Sequence, residues 1–178
     1  MTYDAKEHWE NIYQTKEPNE VSWHQEKPTT SLRLITETNL DKNARIIDVG
    51  AGDSMLVDNL LALGFRNITV LDVSSMALNR AKKRLRDKAN SVKWIESDLR
   101  KFETNDRYDI WHDRAVLHFL TKEEDISRYV ERVRQLLKPN GYPPSQKTTA
   151  MAVVSSLSLR DRERASSTGM PAVFACET

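Results

Sequence analysis

Two acids and two glycines in the first half of the chain have the types and spacing needed to hold a nucleoside. Residues 46–54 read Ile-Ile-Asp-Val-Gly-Ala-Gly-Asp-Ser, so an apolar run ends in an acid and then in Gly50 and Gly52. Glycine has no side chain, so a ligand can approach its backbone closely. Asp72 lies 22 residues beyond Gly50 (72 − 50). An acid about 20 residues after such a loop is typical of a group that accepts hydrogen bonds from ribose hydroxyls.

The residue that follows the glycines distinguishes two classes of ligand. A dinucleotide fingerprint of the form G-x-G-x-x-G needs glycine or alanine at position 55, where this chain has methionine. The pattern Asp48-x-Gly50-x-Gly52-x-Ser54 instead resembles motif I of class I S-adenosylmethionine (SAM)-dependent methyltransferases. Ser54 replaces the usual third small residue, which is often glycine. A nicotinamide-dependent Rossmann oxidoreductase remains an alternative that Met55 disfavours.

Alternating strands and helices are predicted to position these residues. Short apolar runs predict buried strands, and leucines at helical spacing predict the helices between them. The predicted strands are residues 46–49, Asn67 to Asp72, Val92 to Ile95 and Tyr108 to Trp111, the last running into polar residues that begin at His112. The predicted helices are Thr29 to about Leu40, Met55 to Leu63 with Gly64 placed to end it, one that is capped by Ser74 or Ser75 and runs to about Arg86, and a long one through Leu137. This order predicts an α/β fold with mostly parallel strands. The resemblance to the methyltransferases implies that the sheet is Rossmann-like and doubly wound.

Five sequence motifs, in the order in which the methyltransferase family has them, extend the resemblance over the stretch from Trp9 to Tyr142. They are Asp48-Val-Gly-Ala-Gly, Asp72-Val-Ser-Ser, Ser97-Asp98-Leu99, Tyr108-Asp-Ile-Trp and Leu136-Leu-Lys-Pro-Asn-Gly-Tyr. Five motifs in this order indicate the family far more specifically than one glycine loop does. The resemblance implies transfer of a methyl group from SAM to a small-molecule or protein side-chain acceptor, such as a protein lysine.

The resemblance also implies a role for each matching residue in holding SAM. The loop from Gly50 to Ser54, with Ala51 and the preceding Asp48, would back the methionine part. Asp72, followed by Val73, would grip the ribose, and Ser97, Asp98 and Leu99 would frame the adenine. This assignment requires Asp72 to lie beside the two glycines, and it requires the space above them to be clear of side chains.

The first 27 residues are predicted to form an N-terminal flap. Trp9, Ile12 and Tyr13 share one face of a predicted short helix, and the Trp23-His24-Gln25 segment follows a turn. That segment is similar to the lid of thiol and thiopurine methyltransferases, which makes Trp23 a candidate cofactor contact. The alternative interpretation is that these aromatic residues only anchor a terminal helix.

Methyl transfer from a sulfonium needs positioning more than it needs a dedicated nucleophile or a metal. A base is required only when the acceptor must lose a proton. His118, His112 and His24 are the candidates, because histidine titrates near neutral pH. For each of them the alternative is a hydrogen-bonded structural histidine.

The resemblance ends after Tyr142. In the family a fifth strand follows at once and antiparallel strands later close the sheet, whereas here Pro143-Pro144 intervenes and cannot enter a central strand. We therefore expect a SAM-binding domain over 1–142, an atypical and partly disordered tail over 143–178, and a sheet that is incomplete at its C-terminal strands. Thr148 to Leu159 is the stretch that can still supply one strand. A non-catalytic or truncated SAM-binding remnant is thus the main alternative function.

Bulk composition limits the class of protein. The chain has 178 residues, 39% hydrophobic and 30% charged, which suits one soluble globular domain. A net charge of +1 provides no general attraction to nucleic acid or to an anionic membrane. With one cysteine, no signal-peptide pattern and no membrane-length apolar run, we expect a cytoplasmic location and no disulfide. The basic residues between Lys82 and Lys88 are interpreted as a solvated helix face.

Overall fold

The computed structural model describes residues 4–21, 23–114, 116–138, 151–154 and 172–174, with only the backbone described for residues 118, 151–154 and 172–174. The helices are α1 (Ala5–Thr15), α2 (Thr29–Glu37), α3 (Leu56–Ala62), α4 (Ser75–Leu85), α5 (Val116–Phe119) and α6 (Glu123–Leu136). The strands are β1 (Arg45–Val49), β2 (Asn67–Asp72), β3 (Val92–Glu96), β4 (Ile110–Asp113), β5 (Met151–Val154) and β6 (Ala172–Phe174). Short 3-10 helices span Pro18–Glu20 and Arg86–Ser91. Within these ranges no helix has the length and apolar character that crossing a membrane requires.

The strands form one sheet in the order β3-β2-β1-β4-β5-β6, and all five pairings between neighbours are parallel. The chain first builds outward from β1 to β3 and then returns to place β4 on the other side of β1. This reversal creates a switch point between β1 and β4. Ligands of open α/β sheets bind at such a point, beyond the carboxyl ends of the strands.

Helices cover both faces of the sheet, as the doubly wound prediction requires. Leucines and isoleucines of α2, α3 and α4 pack with Ile46, Ile68 and Ile110 on one face. On the other face, α5 and α6 pack against a cluster that includes Ile47 and Trp111. Ile46 and Ile47 are both fully buried, so β1 is covered on its two sides. The predicted α/β class and mostly parallel sheet are confirmed.

The fourth strand begins and ends two residues later than the sequence pattern predicts. It pairs with β1 from Ile46↔Ile110 to Val49↔Asp113, so His112 and Asp113 lie inside the strand and not beyond it. Their side chains are 2% and 0% exposed. The prediction was wrong because polar character was taken to end the strand. Each of these side chains has buried hydrogen-bond partners that the sequence does not reveal.

The atypical tail contributes two short strands to the sheet. β5 lies within the stretch from Thr148 to Leu159, as predicted, and pairs with β4. β6 pairs with β5 in parallel, so among the described strands no antiparallel pair closes the sheet. Pro143 and Pro144 lie outside the described residues, as does most of the tail that is predicted to be partly disordered. The division of the chain at Tyr142 therefore stays a prediction.

Candidate functional site

The carboxyl ends of β1 and β2 are joined by hydrogen bonds from the glycine loop. The Gly50 amide donates to the Leu71 carbonyl over 2.8 Å. The Gly52 amide donates to Asp72 Oδ2 over 2.7 Å, and the Ser74 amide donates to Asp72 Oδ1 over 2.8 Å. Gly50 and Gly52 have φ values of +63° and +57°, a region that favours glycine. The requirement that Asp72 lie beside the glycine loop is met.

Burial makes the carboxyl group of Asp72 harder to ionise. Its side chain is buried, and this burial raises the pKa of Asp72 to about 6, although the amides of Ser74 and Gly52 act in the opposite direction. Each carboxylate oxygen can accept more than one hydrogen bond, so both keep capacity for a further donor. Asp72 can therefore accept ribose hydroxyls, provided that a ligand can reach it.

Side chains fill part of the space above the two glycines. A Cβ atom added to Gly52 would stand 2.0 Å from the hydroxyl oxygen of Tyr13, and one added to Gly50 would stand 2.0 Å from Cγ2 of Val116. Tyr13 is 7% exposed. The expectation that this space is clear is therefore wrong for the conformation described. Glycine is needed at both positions because side chains of the protein itself pack closely against the loop, in addition to any need to admit a ligand.

Val116 reaches Gly50 because the start of α5 is held by a buried acid. Asp113, the last residue of β4, accepts hydrogen bonds from the amides of Val116 (2.7 Å) and Leu117 (3.2 Å). The Tyr129 hydroxyl donates to the same carboxylate over 2.6 Å. Burial raises the pKa of Asp113. This short helix is thus fixed across the switch point between β1 and β4.

The residues predicted to frame adenine lie at the end of the neighbouring strand, β3. The Ser97 amide donates to the Asp72 carbonyl over 2.9 Å, which brings this loop to the ribose-binding candidate. The side chain of Arg100 donates to Asp98, and this interaction lowers the pKa of the Asp98 carboxyl. Leu99 is buried and lines a cavity beside α6 together with Leu120 and Tyr129. Neither the glycine loop nor Asp72 lines that cavity.

An arginine that sequence analysis missed holds the end of the glycine loop. Arg84 of α4 donates to the carbonyls of Asp53 (2.9 Å) and Ser54 (2.8 Å) and forms an ion pair with Asp58 at the start of α3. The Ser54 hydroxyl in turn accepts from the Leu56 amide over 3.2 Å. The solvated-face interpretation of the basic run is wrong for Arg84, which is partly buried. The sequence shows only that Arg84 and Arg80 are one helical turn apart.

The other loop candidates contribute through their backbone. The Ala51 amide donates to the Leu71 carbonyl over 3.3 Å, so Ala51 is fixed to the same strand end as Gly50. Val73 follows Asp72 directly and is half-buried at the beginning of the turn into α4. Ala51 and Val73 therefore lie at the carboxyl ends of β1 and β2, and their contact with SAM stays a prediction.

His112 is not available as a base. Its Nδ1 lies 2.7 Å from Asp48 Oδ1 and its Nε2 lies 2.9 Å from Ser31 Oγ, and all three side chains are almost fully buried. Both ring nitrogens are engaged, so no acceptor can exchange a proton with this histidine. The candidate role was wrong, and the structural alternative describes His112. Asp48 is likewise turned toward His112, and its Oδ2 has no hydrogen-bond partner among the described residues.

The segment Trp23-His24-Gln25, called the flap segment below, is attached to the end of β4. Arg114 donates to the Trp23 carbonyl over 2.8 Å and to the Gln25 side chain over 3.1 Å. Trp23 and His24 are both half-buried at this position. The side chain of His118 lies outside the described atoms. Trp23 therefore stays a candidate cofactor contact, and His24 stays a candidate base.

Aromatic contacts connect the N-terminal helix to this flap segment and to α5. The ring of Trp9 meets Trp23 edge to face at 5.8 Å between centroids and Phe119 at 5.2 Å, and it lies 6.3 Å from the Tyr13 ring. The anchoring interpretation agrees with these contacts, whereas the flap over the first 27 residues stays a prediction. The aromatic residues anchor α1, and through Tyr13 the same helix lies across the glycine loop.

We expect Gly50→Ala to destabilise the protein much more than Gly64→Ala does. Both glycines have positive φ, so each substitution incurs the left-handed strain of about 1–2 kcal/mol. Only at Gly50 does the new Cβ also collide with Val116, since nothing lies within 4 Å of the corresponding position at Gly64. This overpacking should add about 1–3 kcal/mol. Urea denaturation measures both variants.

The double variant Gly50→Ala/Val116→Ala is the control for that prediction. It removes Cγ2 of Val116 and should recover the overpacking part of the loss relative to the Gly50 single variant. Equal free energies of unfolding for the Gly50 and Gly64 variants would contradict the packing described here.

Comparisons with known proteins identify the fold. A family model described as a methyltransferase domain matches residues 47–142, which is more than half of the chain. The crystal structure of N-methyltransferase NodS from Bradyrhizobium japonicum WM9 in complex with S-adenosyl-l-homocysteine superposes with a TM-score of 0.60 at 18% identity, covering 76% of this chain and 69% of that one. This likeness supports the Rossmann-like architecture.

Curated relatives extend the match along the sequence. EEF1A lysine methyltransferase 2 of Danio rerio is 25% identical over 153 residues, covering 78% of this chain and 66% of that protein. N-terminal Xaa-Pro-Lys N-methyltransferase 1-A of Xenopus laevis is 31% identical over 106 residues, covering 58% of this chain and 47% of that protein. The chain thus spans between about half and two thirds of the length of these relatives. It belongs to the methyltransferase-domain family, among the class I SAM-dependent methyltransferases.

Proposed function

We propose that this chain binds SAM across the carboxyl ends of β1 and β2 and transfers its methyl group to an amine, either a protein lysine or an N-terminal amine. The contact that carries the proposal is the 2.7 Å bond between the Gly52 amide and Asp72. It puts an acid that can accept ribose hydroxyls next to a backbone without side chains. The amine acceptor is supported by the names of the relatives, which refer to lysine and to protein N-termini.

Each part of the site has a task in this reaction. SAM, when bound, supplies a methyl group on a positively charged sulfur that is ready for displacement. Asp72 would hold the ribose, the glycine loop would back the methionine part, and Asp98 would lie toward the adenine. Fixing donor and acceptor at reacting distance can contribute up to about 7–11 kcal/mol, so positioning alone supplies a large part of the acceleration.

The acceptor must present a neutral amine, because the lone pair of the nitrogen forms the new bond. Its proton therefore has to leave before or during the transfer. With His112 engaged by Asp48 and Ser31, His24 and His118 stay as the histidine candidates for accepting it.

Calorimetry with S-adenosylhomocysteine (SAH) and transfer of labelled methyl groups test the proposal. We expect saturable binding of SAH at a single site, and label transfer to peptides with a lysine or a free N-terminal amine. Peptides with acetylated amines are the matched control and should take up no label. Absence of SAH binding would overturn the cofactor assignment. Label on a thiol but on no amine would overturn the acceptor class.

A protein of this fold that does not bind the cofactor is the second candidate, and one observation favours it. Tyr13 and Val116 occupy space directly against the two glycines that a ligand would have to approach. A thermal melt with SAH separates the two candidates. A ligand at 100 times its dissociation constant should stabilise a binding-competent protein by about 2.7 kcal/mol, whereas the melting temperature of a protein that does not bind the cofactor should not change.

A further inference from the structure

Helix α1 is attached to the rest of the fold at both ends and in the middle. Near its start, Lys6 Nζ pairs with Glu96 Oε1 of β3 over 2.5 Å. At its end, Arg80 of α4 donates to the Lys16 carbonyl over 2.9 Å. The central attachment, Glu10, is the most extensive and is directed at the beginning of α4.

Glu10 provides a carboxylate for the N-terminus of α4. Its Oε1 accepts from the amide of Ser75 (2.8 Å) and from the Ser75 hydroxyl (2.9 Å). Its Oε2 accepts from the Ser74 hydroxyl (3.1 Å) and from the Met76 amide (3.3 Å). The first amides of a helix have no partner within it and carry partial positive charge, so an anion is favoured there. A glutamate that comes from another helix thus fixes α1 to α4.

This attachment helps to hold Tyr13 in its position. Tyr13 follows Glu10 by three residues, so the two side chains project from neighbouring turns of the same helix. With Glu10 bound to α4, the Tyr13 hydroxyl rests against Gly52, 2.0 Å from where a Cβ would stand. Gly52 also donates to Asp72, and both Tyr13 and Asp72 are buried. The tyrosine therefore covers the part of the loop that a nucleoside must approach to reach Asp72.

We propose that α1 is a gate over the cofactor site: the closed state has Glu10 bound to the beginning of α4 and Tyr13 against Gly52, and SAM binds only after this attachment opens. The proposal rests on the proposed function, since it needs SAM to occupy the space beside Gly52. Tyr13 in the closed state and SAM in the bound state would occupy the same volume. The measured association constant is then the intrinsic association constant multiplied by the fraction of molecules that are open.

Weakening the attachment should consequently strengthen cofactor binding. We expect Glu10→Ala, which removes all four hydrogen bonds, to lower the dissociation constant of SAH about tenfold and to raise the association rate, because the open fraction increases. Glu10→Gln, which keeps the shape and loses the charge, should have a smaller effect in the same direction. Glu7→Ala is the matched control, because it removes an exposed glutamate from the same helix and should change neither quantity.

Hydrogen exchange gives a second readout that does not depend on catalysis. Amides of residues 5–15 should exchange faster in Glu10→Ala than in the parent chain when no ligand is present. Thermal melts of the variants confirm that they fold, and the Glu10→Gln chain keeps the test informative if Glu10→Ala does not.

The outcomes distinguish the gate from the function on which it rests. Unchanged or weaker SAH binding in both Glu10 variants, with a parent chain that binds, would overturn the gate alone. Stronger binding in Tyr13→Ala but not in either Glu10 variant would also overturn it, because a side-chain rotation would then suffice. Failure of every chain to bind SAH would overturn the proposed function together with the gate.

Discussion

Asp72→Ala is expected to weaken binding of SAH by roughly 100-fold or more. The carboxylate is the group we assign to the ribose hydroxyls, and hydrogen bonds to a charged group contribute about 1.5–3 kcal/mol each, so two of them correspond to about 10²–10⁴ in affinity. Calorimetric titration measures the loss directly. Asp87→Ala is the control, because it removes an exposed acid of the same charge and should leave the affinity unchanged.

The substitution also removes support for the loop, which a second variant separates from the loss of binding. Asp72 accepts from Gly52 and Ser74, and buried amides left without partners cost about 1–3 kcal/mol each. Asp72→Asn keeps one oxygen and nearly the same volume. If the Asn variant melts close to the parent chain and binds SAH equally well, Asp72 does not hold the ribose.

The pH profile of the parent chain provides an independent part of the same test. The pKa of Asp72 is raised from 3.8 to about 6 by burial, so between these values the folded state holds a proton that the unfolded state has released. The free energy of unfolding should then decrease as the pH rises through this window, by about 3 kcal/mol at most. SAH affinity should change in the opposite direction, because ionised Asp72 is the better acceptor. As the pH is lowered below 6, we expect SAH affinity to fall about tenfold per pH unit in the parent chain. In Asp72→Asn, SAH affinity should stay level over the same range.

His112→Leu is expected to lower the free energy of unfolding by about 3–5 kcal/mol, because it leaves the buried Asp48 carboxylate without its partner. His112 supplies the bond of 2.7 Å to Asp48 Oδ1, and Asp48 Oδ2 already has no partner among the described residues. Asp48 is 2% exposed, so water does not reach it freely. Denaturation in urea measures the effect, and it should occur with or without SAH.

Two companion variants identify the cause of that loss. Asp48→Leu/His112→Leu replaces both partners by apolar groups and should be more stable than the His112 single variant, since no buried acid is then left unpaired. Ser31→Ala removes only the contact to Nε2 and should cost about 1–3 kcal/mol. A double variant less stable than His112→Leu would show that the unpaired carboxylate of Asp48 is not the cause of the loss.

Local patterns were sufficient to predict the framework of the fold. The strand from Asn67 to Asp72 has the predicted boundaries, and Ser74 caps α4 through its bond with the Ala77 amide. Gly64 ends the α3 region with φ +88°. These features depend on residues close together in the chain, where apolar periodicity, capping side chains and glycine conformations act directly.

Contacts between distant residues explain the predictions that failed. His112 was taken for a base at the end of a strand, but Ser31 and Asp48 hold it inside the sheet. Arg84 was taken for a solvated side chain, but its partners lie about thirty positions earlier in the chain. No short-range pattern indicates which distant group satisfies a buried polar side chain.

The sequence by itself determined the α/β class, the glycine loop and the placement of Asp72 at the end of its strand, because these follow from the order and spacing of neighbouring residues. Only the tertiary structure decided that Tyr13 lies on Gly52, that Glu10 binds the beginning of α4 and that the space above the loop is partly filled. Residues 10 and 75 are far apart in the chain and meet only because α1 packs against α4. Access to the site is therefore a property of the packing of α1 and cannot be read from the glycine motif.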